Sequence, residues 1–142
     1  MIEVIDRQRK IKLIRRVFLD FSASLTSQIP ETANKTFTVA FVSDKKMREL
    51  NKTFRYKTST TDVLSFPFEP DEFEIESNYL GDVVISVEQA ERQAKENHLD
   101  LETEIKQLIL HGILHLCGYD HEGDSGEMNA LELKLRDKLK IN

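Results

Sequence analysis

Three of the chain's four histidines fall within one run of eleven residues, HGILHLCGYDH at 111–121, and that run dictates local structure. His111 and His115 are one helical turn apart. On an α-helix of 3.6 residues per turn they lie on one face, roughly 6 Å apart along the axis, so both imidazoles can reach a single ion. A third ligand has to approach from another direction. Gly118 tolerates the positive φ with which a helix ends and the chain reverses, so His121 can swing back toward the same point. Three imidazoles with one open position describe a catalytic zinc site, whereas structural zinc is usually closed by four ligands that include cysteines. The alternative is separate histidines that happen to cluster, but the H-x3-H-x2-G-x2-H spacing is much more specific than a lone pair. His98 is isolated and reads as polar surface. Cys117 projects about 160° from His115 on an ideal helix, which suits a small buried thiol better than a fourth ligand.

The rest of the chain supplies a frame for that helix. Ile11, Ile14, Phe18, Phe21 and Leu25 follow the spacing of one helical face, which predicts an amphipathic helix over residues 7–28, closed before Pro30. Phe37, Val39 and Phe41 alternate with Thr36, Thr38 and Ala40, the period of a half-buried strand. Ser43 or Asp44 then caps a short helix to about Asn51. Asp62 to Phe66 reads as a second strand ended by Pro67, and Leu80 to Ile85 as a third, with Gly81-Asp82 marking an edge or a bulge. A polar loop or loose hairpin joins them. Ser86-Val87-Glu88-Gln89 has the form of a capping box opening a helix with Ala90 and Ala94. A longer helix from Asp100 to Cys117 places Leu101, Ile105, Leu108 and Ile109 inward. Asp124 to Glu127 resembles another capping box before a final helix carrying Met128, Leu131, Leu135 and Leu139. The order α-β-α-β-β-α-α-α implies an α+β fold, a single domain over 1–142 with a small mixed sheet packed against helices, one of them the zinc-binding helix.

A net charge of −5 argues mildly against a surface that binds polyanions everywhere, but local charge matters more. Residues 44–57 carry Lys45, Lys46, Arg48, Lys52, Arg55 and Lys57 against Asp44 and Glu49, while residues 69–76, EPDEFEIE, carry acids and no base. That asymmetry makes either a basic groove with an acidic flank or two solvated faces. The single cysteine precludes an intramolecular disulfide and fits a reducing compartment. The N-terminal MIEVID lacks the layout of a signal peptide and no apolar run approaches the ~18 residues of a membrane span, so the expected address is cytoplasmic.

The histidine spacing also appears in the metzincin protease motif H-E-x-x-H-x-x-G-x-x-H, with one departure: Gly112 stands where that motif has glutamate. There the glutamate moves the proton from zinc-bound water to the leaving amine, so its absence weakens a protease reading. Hydrolysis stays open, because zinc alone lowers the pKa of its water to roughly 7. Asp120 and Glu122 flank the third histidine and read as carboxylates that orient imidazoles, or as a base.

Taken together, three blocks resemble the YbeY family of bacterial endoribonucleases, the ribosomal-RNA maturation factors. They are HGILHLCGYDH at 111–121, Phe54-Arg55 with Thr61 to Pro67, and Leu80 to Ser86. The resemblance runs from about Asn51 to Glu122. It implies a zinc-dependent endoribonuclease that prefers single strands and acts on ribosomal RNA (rRNA), notably at the 3′ end of the small-subunit RNA, and in ribosome quality control. By the same resemblance His111, His115 and His121 hold one Zn2+ ion, with Arg55 and His115 as the catalytic residues. The small ribosomal subunit or assembly factors are the implied partners, with no membrane and no DNA. A guanidinium such as Arg55 can bind two phosphoryl oxygens at once as charge builds on them. Its alternative role is an ion pair with a carboxylate such as Asp62. Lys45, Lys46, Lys52 and Lys57 would guide the RNA backbone, and Tyr56 packs or stacks on a base. Thr61 to Pro67 also reads as a buried strand, and Asp82 as a turn residue at a strand edge. Two other readings stand beside the ribonuclease: a minimal zinc metalloprotease-like hydrolase, and a non-catalytic ribosome-assembly factor with structural zinc.

Overall fold

The structure is a computed structural model that describes residues 1–56, 60–70, 77–120 and 125–142. Its frame is a four-stranded sheet in the order β1-β2-β4-β3. The strands are β1 (Glu3–Asp6), β2 (Thr36–Val42), β3 (Val63–Pro67) and β4 (Tyr79–Ser86). β1 and β4 both pair with β2 in parallel, and β3 pairs with β4 antiparallel, so the sheet is mixed. The alternation in β2 sends Phe37, Val39 and Phe41 to one face, where all three are buried. Val83 and Ile85 of β4 join them.

Among the described residues five α-helices surround this sheet, the last of them packing against the fourth. They are α1 (Arg15–Leu25), α2 (Asp44–Arg55), α3 (Val87–Glu96), α4 (Leu101–Leu116) and α5 (Glu127–Lys138). Phe18, Phe21 and Leu25 of α1 and Ile105, Ile109 and Ile113 of α4 pack in the main core with β2 and β4. Each such side chain contributes roughly 1.5–3 kcal/mol by leaving water. Met47 of α2 covers the opposite face, against Val42, Leu64 and Val84. The fold is therefore α+β, as the element pattern implies.

Several boundaries differ from the sequence reading, each for a local reason. The strand β1 precedes the first helix, and that helix starts at Arg15, not near residue 7. Asp6 accepts from the Gln8 backbone N–H, and the Gln8 side chain bonds the Ile11 main chain at both ends. These local bonds offer residues 6–11 an alternative to helix, and Ile14, assigned to the inner face, is 69% exposed. α2 runs one turn beyond Asn51, opened by Ser43, whose hydroxyl accepts from the Lys46 backbone N–H. Asp124 lies outside the described residues. The N-cap of α5 is Gly126, with no side-chain cap.

Gly81-Asp82 proves to be a bulge and not an edge, because β4 is interior and its register against β2 slips between Thr36 and Thr38. Gly81 has φ +139, and a β-carbon there would lie 2.2 Å from the Phe66 carbonyl oxygen. Asp82 accordingly sits within a strand, where it accepts from the Tyr79 hydroxyl. Pro67 closes β3, one of the two edge strands of the described sheet, where a missing N–H is tolerated.

Candidate metal centre

Helix α4 positions the two described histidines of the run. Asp100 opens the helix by accepting from the Thr103 backbone N–H at 2.7 Å. Its apolar face is clamped in the core, which leaves His111 and His115 half-buried on the remaining side. Their ring centroids are 4.6 Å apart and their Nε2 atoms 3.0 Å apart. The helix ends as the glycine predicts. Gly118 has φ +96, its N–H donates to the His115 carbonyl, and the Tyr119 N–H reaches back to Leu114.

Behind His111 stands a carboxylate from another helix. Glu132 of α5, 4% exposed, places Oε1 2.6 Å from His111 Nδ1. Its other oxygen lies 3.4 Å from an Arg136 nitrogen. An ionised Glu132 can only accept, which would place the His111 proton on Nδ1 and leave the Nε2 lone pair on the side of His115, 3.0 Å from its Nε2. This arrangement fits a metal ion. Two imidazole nitrogens bound at 2.0–2.1 Å on a tetrahedral ion are about 3.3 Å apart, close to what the pair adopts. His121 and Glu122 lie outside the described residues, and among the described residues no three metal-binding side chains cluster.

The pair opens on a cleft of about 660 Å³ whose walls include Arg55, Asp62, Ser65, His115 and Asp120. Ser65 of β3 donates to the Gly112 carbonyl at 3.1 Å, tying the strand to the helix. Arg55, at the exposed end of α2, makes no ion pair among the described residues, with Asp62 or any other carboxylate. Asp62 is instead engaged locally, accepting from the Val63 backbone N–H and the Thr61 hydroxyl. Lys45, Arg48, Lys52 and Arg55 are all exposed and spaced along one face of α2. Tyr56 is 91% exposed beside Arg55, so it is not packed in the core. Lys57 lies outside the described residues, and His98 is exposed surface, as expected.

Glu132 is the residue that sequence reasoning missed. The signal was present, since Met128, Glu132 and Leu135 form the buried stripe of α5. A carboxylate in the middle of an apolar stripe needs a partner.

A family model described as Endoribonuclease YbeY matches residues 2–140 of this chain. The chain belongs to the Endoribonuclease YbeY family. A relative so named from Thermodesulfovibrio yellowstonii is 37% identical, over 98% of this chain and 97% of that protein. The Endoribonuclease YbeY of Aquifex aeolicus is 45% identical over 88% of this chain and 83% of its own length. Among solved structures, the solution structure of TM1509 from Thermotoga maritima superposes with a TM-score of 0.65 at 26% identity, covering 99% of this chain and 92% of that one. The YbeY family match thus spans the sheet, the histidine helix and the cleft together. No described helix is long and apolar enough to cross a membrane.

Proposed function

We propose that this YbeY-family chain is a zinc-dependent endoribonuclease that cleaves single-stranded rRNA. The reading includes maturation of the small-subunit RNA 3′ end, ribosome quality control and a cytoplasmic setting with the small subunit or its assembly factors as partners. The observation that carries the chemistry is the opening of the His111–His115 pair onto the same cleft as Arg55, whose exposed guanidinium makes no ion pair among the described residues. The relatives' shared name, Endoribonuclease YbeY, supports the substrate class. The ribosomal role rests on the resemblance of the three sequence blocks.

In this reading His111, His115 and His121 hold one zinc ion. Zinc bound there supplies a Lewis acid and acidifies water near neutral pH. Arg55 does what an ammonium could not: its planar fork binds two non-bridging phosphoryl oxygens and neutralises the charge that grows on them during displacement. The exposed bases along α2 attract the backbone of the strand toward the cleft. Tyr56 and Phe54, exposed beside Arg55, offer ring faces to unstacked bases. The protease reading finds no support at position 112, where a side chain would collide with Val83.

Zinc-loaded protein incubated in parallel with single-stranded RNA and with an unfolded polypeptide separates the two. RNA fragments with intact polypeptide are expected. Peptide fragments with intact RNA would reverse the assignment.

A further inference from the structure

We propose that Glu132 is the positioning residue of the metal centre, fixing the tautomer and the aim of His111 from a helix that contributes none of the three histidines. The inference rests on the proposed metal centre and adds a residue that the histidine run does not contain. Glu132 and His111 are 21 positions apart in sequence, yet Oε1 and Nδ1 are 2.6 Å apart. Glu132 is nearly sealed from solvent, and such burial of a carboxylate is costly without partners. Two of its partners divide the work. Arg136, one turn along α5, offsets the charge from one side, and His111 takes the other oxygen.

The consequence is geometric. Neutral imidazole exchanges its proton between the two ring nitrogens, and only the form protonated at Nδ1 offers an Nε2 lone pair. Accepting at Nδ1, Glu132 selects that form, stops ring rotation and makes Nε2 a better electron donor. Partners of this kind are worth about 10–100-fold in metal affinity.

The test compares zinc affinity, by competition with a chromogenic chelator at neutral pH, in wild type, Glu132→Gln and Glu132→Leu. The His111 tautomer is read in the metal-free proteins by nitrogen NMR. Leucine suits the apolar stripe and leaves Arg136 a route to solvent, so circular dichroism and melting serve to show that both variants remain folded. Expected are a His111 protonated at Nδ1 in wild type, loss of that preference in Glu132→Leu, and a drop in zinc affinity of about 10-fold in Glu132→Gln and more in Glu132→Leu. Unchanged zinc affinity in both folded variants, or a wild-type His111 protonated at Nε2, would overturn the proposal. A wild type that shows the Nδ1 tautomer but takes up no zinc would end the metal reading itself, and the proposal with it, by a result distinct from the other two.

Discussion

Val83 of β4 occupies the space that a side chain on Gly112 would need: a β-carbon built there lies 2.5 Å from Val83 Cγ1 and 2.9 Å from Cγ2. Gly112 is the position between the two histidines at which metzincin proteases carry glutamate. At this position the central helix sits so close to the sheet that a side chain has no room unless Val83 shifts. The histidine spacing is kept while a glutamate at position 112 is sterically refused.

That contact gives a first expectation. Gly112→Ala gains helix propensity of about 1 kcal/mol but overpacks a β-branched neighbour with little freedom to move, at about 1–3 kcal/mol. Net destabilisation is expected in urea unfolding. A more stable variant would show that the helix lifts off the sheet freely.

Asp44 provides a pH-dependent expectation. Burial alone would raise its carboxyl, but the Ser86 hydroxyl, the Arg92 guanidinium and Thr60 outweigh burial and hold it below its ordinary value. A depressed folded value contributes stability that is complete above the unfolded value of about 3.9 and is lost as pH falls through the folded one. Asp44→Asn should therefore lower stability by about 1–3 kcal/mol at neutral pH, with the gap to wild type closing below about pH 4. Urea midpoints across that range check it, and a gap independent of pH would contradict it.

The helix α2 should behave as an electrostatic track. Each phosphate neutralised on a single strand contributes about −0.7 to the slope of log affinity against log salt. Lys45→Gln with Lys52→Gln should weaken binding of single-stranded RNA and flatten that slope by roughly 1.4. Fluorescence anisotropy over a salt series reads both, and an unchanged slope would remove α2 from the RNA path.

Zinc should stabilise the folded chain by mass action. At 100 times its dissociation constant a ligand contributes about 2.7 kcal/mol, a rise in Tm of roughly 5–10 °C for a chain of this size. His115→Ala should abolish that rise and leave the metal-free Tm nearly unchanged, because His115 is only half-buried. A wild type that is unfolded without zinc would favour the structural role instead.

The parts of this molecule that could be read directly from sequence are those whose signal is local. The histidine spacing, the alternation in β2 and the Ser86 cap each need only a few neighbouring residues. β1 was hidden because its four residues bury only Val4 and owe their strand state to pairing with β2. Ile11 and Ile14 kept helical spacing while the Asp6–Gln8 turn took the backbone elsewhere. The role of Glu132 depends on how α5 docks against α4, a long-range fact that no window of sequence contains. The bulge at Gly81 was visible as a glycine, but whether β4 lay at an edge depended on the pairing of all four strands.

Cleavage of a defined single-stranded RNA tests the central claim most directly, with zinc-loaded wild type beside Arg55→Ala and His115→Ala. Arg55 is exposed and makes no ion pair among the described residues, so Arg55→Ala should keep the fold and its zinc. Losing one charge-assisted phosphate clamp should cost at least about 100-fold in rate. Cleavage by wild type and its loss in both variants is the expected result. Cleavage by Arg55→Ala at the wild-type rate would contradict the account.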